Sequence, residues 1–574
     1  MKNPRVKAIL SAMIAGIVLT ACTGARNDTN PDIATTENSP VTPATDSTAV
    51  RQNSQNRVEE FVLASALDMA NESIAMGSSA SMQVMRAEVR PGMPAPPTFW
   101  PEQGAENYAE FDDSGIKRVI ENAISTFSID VDTGSYSNVR RFLNQGSLPP
   151  VDAVRAEEMI NYFAYDYPLV ESSVPFSINT EISLSPWNTN RHLLHVGIRA
   201  NEALESEELN SNLVFLVDVS GSMASPDKLE LLKTSLRMLT QQLSEEDSVS
   251  LVVYAGASGV VLEPTAGNES RIISAALDRL QAGGSTNGEA GIELAYAMAE
   301  QAFIEGGINR VILATDGDFN VGMSSVEAMQ ELIEDKRESG ISLTTLGFGT
   351  GNYNDHMMEQ LADRGNGNYA YIDNLNEARK VLVDELHATL QTVAKDVKIQ
   401  IEFNPATVAE YRLIGYENRE LAREDFNNDQ VDAGEIGAGH TVTAIYEIAL
   451  VGSDGLSMDA LRYTQETGNA SVNTEELAFL KLRYKEPNAE QSILLEQPLM
   501  LADIQSDIAE TSDNYRFSAA VAGLAQLLRD SNQAGNYDYD TVLGLAQSAR
   551  GDDEFGYRSE FIQLVRNAQA LSLN

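Results

Sequence analysis

Between residues 212 and about 390, short apolar runs alternate with longer amphipathic stretches. The runs at 213–217, 249–254, 311–314, 343–348 and 369–372 are continuous and bounded by polar residues. That pattern marks strands buried on both faces of a parallel sheet. The stretches between and after them, at 228–243, 270–280, 289–303, 326–338, 356–364 and 376–390, carry helical patterns. Strand–helix alternation of this kind predicts a doubly wound α/β fold, a parallel sheet with helices on both faces.

The pattern differs on either side. Residues 126–132 alternate like a strand, 151–163 read as a helix, and 176–184 and 192–198 read as two further strands. After Thr392, strand patterns at 397–403, 409–413, 441–450 and 478–484 fit an antiparallel sheet. The last stretch is helical, at 515–528, 539–549 and 558–571. Strand-rich segments on both sides of the α/β unit suggest that they pair with each other. The α/β unit would then be an insertion into a β-rich sandwich, followed by a C-terminal helical segment.

Composition changes the picture at the N-terminus. Residues 23–56 are Thr, Asn, Ser, Pro, Ala and Asp with almost no large apolar side chain, which reads as a disordered tether. A weak helix is expected at 58–76, a Pro-rich linker at 90–97 and order from about Tyr108. The divisions expected are 1–21, 22–105, 106–205, 206–391 and 392–574. Charge excludes one class of partner: 40 Lys+Arg against 84 Asp+Glu give a formal net charge of −44, the opposite of a phosphate-binding face. Cys22 is the only cysteine, so no intramolecular disulfide forms. It follows a basic segment, residues 1–7, and an apolar stretch, residues 8–20, of signal-peptide length. Leu19-Thr20-Ala21-Cys22 resembles the bacterial lipobox. The resemblance implies export, lipidation of Cys22 and, with Thr rather than Asp at residue 23, the outer membrane facing the periplasm.

Candidate chemistry gathers at one edge of the predicted sheet. Asp218-Val219-Ser220-Gly221-Ser222 follows the run 213–217 directly. Asp316 follows the run 311–314, and Thr286 lies in the loop Gly283-Gly284-Ser285-Thr286-Asn287-Gly288. Open α/β sheets bind ligands at their carboxyl edge, and these are hard oxygen donors of the kind Mg2+ prefers.

Asp218, Ser220, Ser222, Thr286 and Asp316-Gly317 together resemble the metal-ion-dependent adhesion site of von Willebrand factor A (VWA) domains, over about 212–390. The resemblance implies a Rossmann-like VWA fold and Mg2+, with Mn2+ or Ca2+ as alternatives. It implies hydroxyl ligation by Ser220, Ser222 and Thr286, with Asp218 and Asp316 often acting through water. One coordination position would take an Asp or Glu carboxylate of a partner protein. Gly221, Met223, Asp318, Phe319 and Asn320 are candidates for the rim by adjacency alone. Residues 127–143, beginning Phe127-Ser128-Ile129-Asp130-Val131-Asp132, and 154–163 resemble the N-terminal segment of YfbK-type bacterial lipoproteins. Residues 411–419 and 434–441 resemble their C-terminal domain.

Other motifs carry less. Asp132-Thr133-Gly134-Ser135 matches the aspartic-protease tetrapeptide, but Asp113-Ser114-Gly115 is too close to form the second lobe such enzymes need. Residues 425–432 begin like a calcium loop yet lack Gly at loop position 6 and have Ile436 at position 12, so a solvated turn is expected. His192 and His195 would point to opposite faces of a strand. Trp187 and the tyrosines around 162–167 are expected in a core. The expectation is a non-enzymatic, envelope-anchored binding module. The alternatives are a structural envelope scaffold stiffened by a metal and a metal-dependent hydrolase.

Overall fold

The computed structural model describes residues 106–169, 174–201, 209–286, 288–317, 326–351, 353–459, 474–531 and 537–573. The expected signal segment, Cys22, tether, 58–76 helix and 90–97 linker lie outside the described residues. Among the described residues, no helix is long and apolar enough to cross a membrane.

Before the α/β unit the chain forms β1 (Lys117–Arg118), β2 (Ile124–Ser128), α1 (Gly134–Asn144), α2 (Ala156–Asn161), β3 (Phe176–Leu184) and β4 (His192–Ala200). The unit itself follows as β5 (Ser211–Asp218), α3 (Leu231–Thr240), β6 (Ser248–Tyr254), β7 (Ser258–Ala266), α4 (Ser270–Asp278), α5 (Gly288–Gln301), β8 (Ile308–Thr315), α6 (Val326–Glu338), β9 (Ser342–Phe348), α7 (Asp355–Arg364), β10 (Tyr369–Ile372), α8 (Leu375–Arg379) and α9 (Leu386–Leu390). Its sheet order is β10-β9-β8-β5-β6-β7. All pairs are parallel except β6–β7. All eight residues of β5 are buried. Its side chains alternate between two cores, Leu213, Phe215 and Val217 on the α3/α4 side and Val214 and Leu216 on the α5/α7 side. Each such side chain contributes roughly 1.5–3 kcal/mol by leaving water.

After the unit come β11 (Thr392–Phe403), β12 (Val408–Ile414), β13 (Ile436–Gly437), β14 (Thr441–Leu450), β15 (Glu476–Lys485), β16 (Ile493–Met500), α10 (Asp513–Leu528), α11 (Tyr539–Ser548) and α12 (Tyr557–Ser572). Strands from the two sides of the unit pair with each other. β4 runs antiparallel to β14, β2 to β11 and β1 to β12. The first sheet, β1-β12-β14-β4-β3, packs on the second, which holds β11, β13, β15, β16 and β2, around one apolar core. The α/β unit is therefore inserted in the chain of a sandwich. The other face of the first sheet is covered by α1, α2 and α10–α12, with Trp187 and the tyrosines 162, 165 and 167 in that core.

Three expectations need correction. The helix expected at 151–163 breaks at Arg155, whose backbone is extended. Its N–H is taken by the Ser135 hydroxyl at 2.8 Å and its guanidinium by Glu158 and Asp355. The helix expected at 376–390 forms as α8 and α9 around a π turn, Lys380–Asp384. The helix expected from Lys228 begins at Leu231, after the π turn Pro226–Glu230.

His195 on β4 points into the helix-covered face. Its Nε2 lies 3.1 Å from the Tyr167 hydroxyl, and burial pushes its pKa down to about 3. His192 sits on the other face of the strand, as its spacing predicts. The folded pKa of His195 lies below the ordinary value of about 6.5, so the unfolded chain takes up this proton first as pH falls. Stability is therefore unaffected above about pH 6.5 and is lost progressively toward pH 3, by about 2 kcal/mol at pH 5. His195→Gln should remove that share of the decline in urea midpoint between pH 7 and pH 5. An unchanged slope would show that His195 does not contribute to it.

Candidate metal centre

The order of strands creates the site. After β5 the chain moves to β6 on one side, then returns to β8 on the other. Their carboxyl ends diverge at this reversal and leave a crevice, the place where doubly wound sheets bind ligands. Asp218 closes β5 and Asp316 follows β8, so the crevice has a carboxylate on each side.

Asp218 is buried and held at both oxygens. Its Oδ1 accepts from the Ser220 N–H at 2.8 Å and its Oδ2 from the Thr315 hydroxyl at 2.9 Å. Burial pushes its pKa up to about 6 against the lowering effect of those bonds, and Asp316 adds repulsion. The Ser220 and Ser222 hydroxyls lie 2.8 Å apart. The glycine loop is fastened to this turn by backbone bonds, Gly221 N–H to Gly284 O at 3.1 Å and Gly283 N–H to Val219 O at 2.7 Å. Those bonds bring the loop that carries Thr286 beside Ser220 and Ser222. Gly284 has φ +93°, a conformation glycine adopts at little cost. Asp316 is buried, and its Oδ2 accepts from the Lys228 ammonium at 2.8 Å.

The donor set fits a hard divalent cation. Two carboxylates and two hydroxyls converge with a third hydroxyl on the attached loop, and all are oxygen donors. Among the described residues, no three carboxylate, imidazole or thiol groups stand together as a metal cluster. This set depends instead on hydroxyls. Gly221 is exposed on the turn. Met223 is not at the rim: the 3-10 turn Gly221–Ala224 rotates it into the α3-side core, where it is fully buried. Asp318, Phe319 and Asn320 lie outside the described residues.

Sequence reasoning missed Thr315 and Lys228. Thr315 ends a strand whose period shows burial but not which hydroxyl bonds to which carboxylate. Lys228 lies ten positions after Asp218, between Asp227 and Leu229 and close to Glu230 and Lys233, so no local pattern marks it as the counter-charge of a buried carboxylate.

The other motifs have structural roles. Asp132 accepts from the Tyr369 N–H at 2.7 Å and pairs with Arg419. In the 425–432 turn, the Lys398 ammonium donates to the carbonyls of Asp425 and Asn428, and that of Lys485 to the carbonyl of Asp429. Ammonium groups thus bond three backbone carbonyls of the turn, while the Asp429 and Asp432 carboxylates pair with Arg483 and Arg337.

Residues 212–384 match the family model described as von Willebrand factor type A domain. Residues 388–571 match "Uncharacterized protein YfbK, C-terminal" and 102–195 match "von Willebrand factor". "Uncharacterized protein YfbK" of Escherichia coli (strain K12) is 49% identical over 477 residues, covering 82% of this chain and 82% of that protein. The inter-alpha-trypsin inhibitor heavy chain H3 of Homo sapiens is 26% identical over 265 residues, 41% of this chain and 28% of that protein. The solved structure "von Willebrand factor type A from Catenulispora acidiphila" is 16% identical, covers 70% of this chain and 92% of that one, and has a TM-score of 0.39. With its sandwich, helices and inserted VWA domain, the chain belongs to the YfbK family.

Proposed function

We propose that this chain is an envelope-anchored lipoprotein whose VWA domain grips an acidic side chain of a partner protein through Mg2+. The observation that carries the reading is the facing pair Asp218 and Asp316 at the strand-order reversal, with the Ser220–Ser222 hydroxyl pair between chain and solvent. Ser220, Ser222 and Thr286 would hold the metal directly, and Asp218 and Asp316 would hold it directly or through water. When bound, the metal supplies a Lewis-acidic point of attachment for an anionic oxygen. Mn2+ would be accepted on similar terms. Ca2+ needs more oxygens at longer distance.

The chain's own residues prepare that attachment. Thr315 and the Ser220 N–H fix the Asp218 carboxylate, so little reorganisation remains for binding. Neutral hydroxyls leave a divalent charge only partly offset, which favours an anionic ligand over a neutral one. The chain's charge of −44 repels acidic surfaces at long range, so the partner's carboxylate should sit within a basic surround. A lipidated Cys22 and the polar stretch after it would place the domain at a distance from the membrane, several acyl chains giving the stable anchoring that one does not.

Asp218→Ala should abolish Mg2+ binding by calorimetry while leaving the circular dichroism spectrum unchanged. In pull-downs from envelope extract, a partner should be retained by the wild-type chain in Mg2+ and lost both in EDTA and with Asp218→Ala. Equal capture in all three samples would sink the metal-bridged reading and favour a scaffold that works through other surfaces.

Thr315→Val keeps the shape of the side chain but removes the bond to Asp218. By analogy with other outer-shell partners, Mg2+ affinity should fall roughly 10–100-fold. Unchanged affinity would mean that Thr315 does not orient the carboxylate.

A further inference from the structure

Lys228 is built into the edge of the metal centre. Its side chain is only 10% exposed, and its ammonium lies 2.8 Å from Asp316 Oδ2. The stem runs across Gly349, just beyond the carboxyl end of β9. A Cβ at Gly349 would come within 2.2 Å of Lys228 Cε and 2.4 Å of Cγ, and Gly349 has φ +73°. Only glycine leaves that path open. The Gly349 carbonyl in turn accepts from the Tyr371 hydroxyl. Backbone and aromatic ring thus hold the ammonium on Asp316.

Counting charge gives this arrangement a consequence. Asp218 and Asp316 contribute two negative charges and Lys228 one positive. A divalent cation added to the three leaves a net charge of +1. Added to the two carboxylates alone, it leaves zero. In a mostly buried setting, such a difference acts strongly on the next ligand. The same ammonium also opposes the incoming metal and competes for Asp316.

We propose that Lys228 is the specificity-determining residue of this centre. It weakens the grip on Mg2+ and keeps the loaded site net positive, so that the site selects an anionic carboxylate over a neutral oxygen. The inference rests on the Mg2+ reading above and extends it.

The test uses the full chain with Lys228→Met, which keeps the stem on Gly349, and Lys228→Arg, which keeps the charge. Lys228→Gln is a second neutral variant in case the methionine variant does not fold. Mg2+ is titrated by calorimetry, and glutarate is then titrated at saturating Mg2+ as the carboxylate probe. The neutral variants should bind Mg2+ about tenfold tighter or more and glutarate about tenfold weaker, while Lys228→Arg stays near wild type in both. Mg2+ should also raise the melting temperature of Lys228→Met more than that of wild type, because Asp316 has lost its counter-charge in EDTA. A merely structural lysine would weaken both ligands or neither, and either result overturns the inference while leaving the metal reading intact. A wild-type chain that takes no Mg2+ overturns both.

Discussion

A guanidinium withdrawn from water must bring its counter-charges with it, and three such groups join the inserted unit to the rest of the fold. Arg140 on α1 pairs with Asp373 and with Glu377 on α8, and it reaches Glu560 on α12 at 3.1 Å. Arg155, just before α2, pairs with Glu158 and with Asp355 on α7. Arg419, after β12, meets Asp130, Asp132, Glu359 and Asp363. Removing one member of such a set leaves the others buried and uncompensated, typically at about 3–5 kcal/mol. Apart from Glu560, these residues fall in the segments around 127–143, 154–163 and 411–419 that resemble YfbK proteins, and in the α7–α8 edge of the VWA domain. The resemblance therefore covers a junction. Acids outnumber the arginines here, and burial pushes Asp132 and Glu158 well up and Glu359 to about 7.

The junction extends to the metal centre through rigid contacts. The Arg141 guanidinium lies over the Tyr371 ring at 5.4 Å, and the Tyr371 hydroxyl holds Gly349, on which the Lys228 stem rests. Glu106 binds Arg141 and also accepts from the Gly351 N–H at 3.1 Å. A side chain at Gly317 would press within 2.4 Å of the Asn354 nitrogen, so the loop after β8 sits directly on the loop after β9. Segments from outside the VWA domain thus support the loops beside Asp316.

The parts legible in sequence were those where one local signal agrees with burial. β3, β10, β14 and α6 run where their patterns predict, because a strand or helix with one environment along its length has one period. β7 and β16 escaped notice. Both are edge strands, each carries a proline, and their mixed polarity suits a half-exposed border. α1 was hidden by Gly134, Ser135, Ser137 and Asn138, poor helix formers that are buried here, with the Ser137 hydroxyl accepting from Arg140 and the Asn138 amide donating to Asp355. Strand pairing across the inserted unit could only be suspected, since no local pattern names a partner more than 200 residues away. At the centre, spacing placed Asp218, Ser220, Ser222 and Asp316 together because a parallel sheet aligns its strand ends. It misplaced Met223, since adjacency along a chain says nothing about which side of a 3-10 turn faces the core.

The two lysine-lined sites show what decides whether a cation fits. In the 425–432 turn, Lys398 and Lys485 meet carbonyl oxygens, and Lys485 also pairs with Asp396 at 2.7 Å. A calcium ion there would have to displace cations already in place. At the VWA crevice one ammonium donates to the buried Asp316 carboxylate, across the crevice from buried Asp218 and its neighbouring pair of hydroxyls. It offsets half the formal negative charge of the pair, and burial pushes the Asp218 pKa up to about 6. In the proposed reading a divalent ion would leave the centre net positive, and the excess would be available to an acidic side chain from outside. The same residue type thus meets backbone carbonyls in one oxygen cluster and a buried carboxylate in the other.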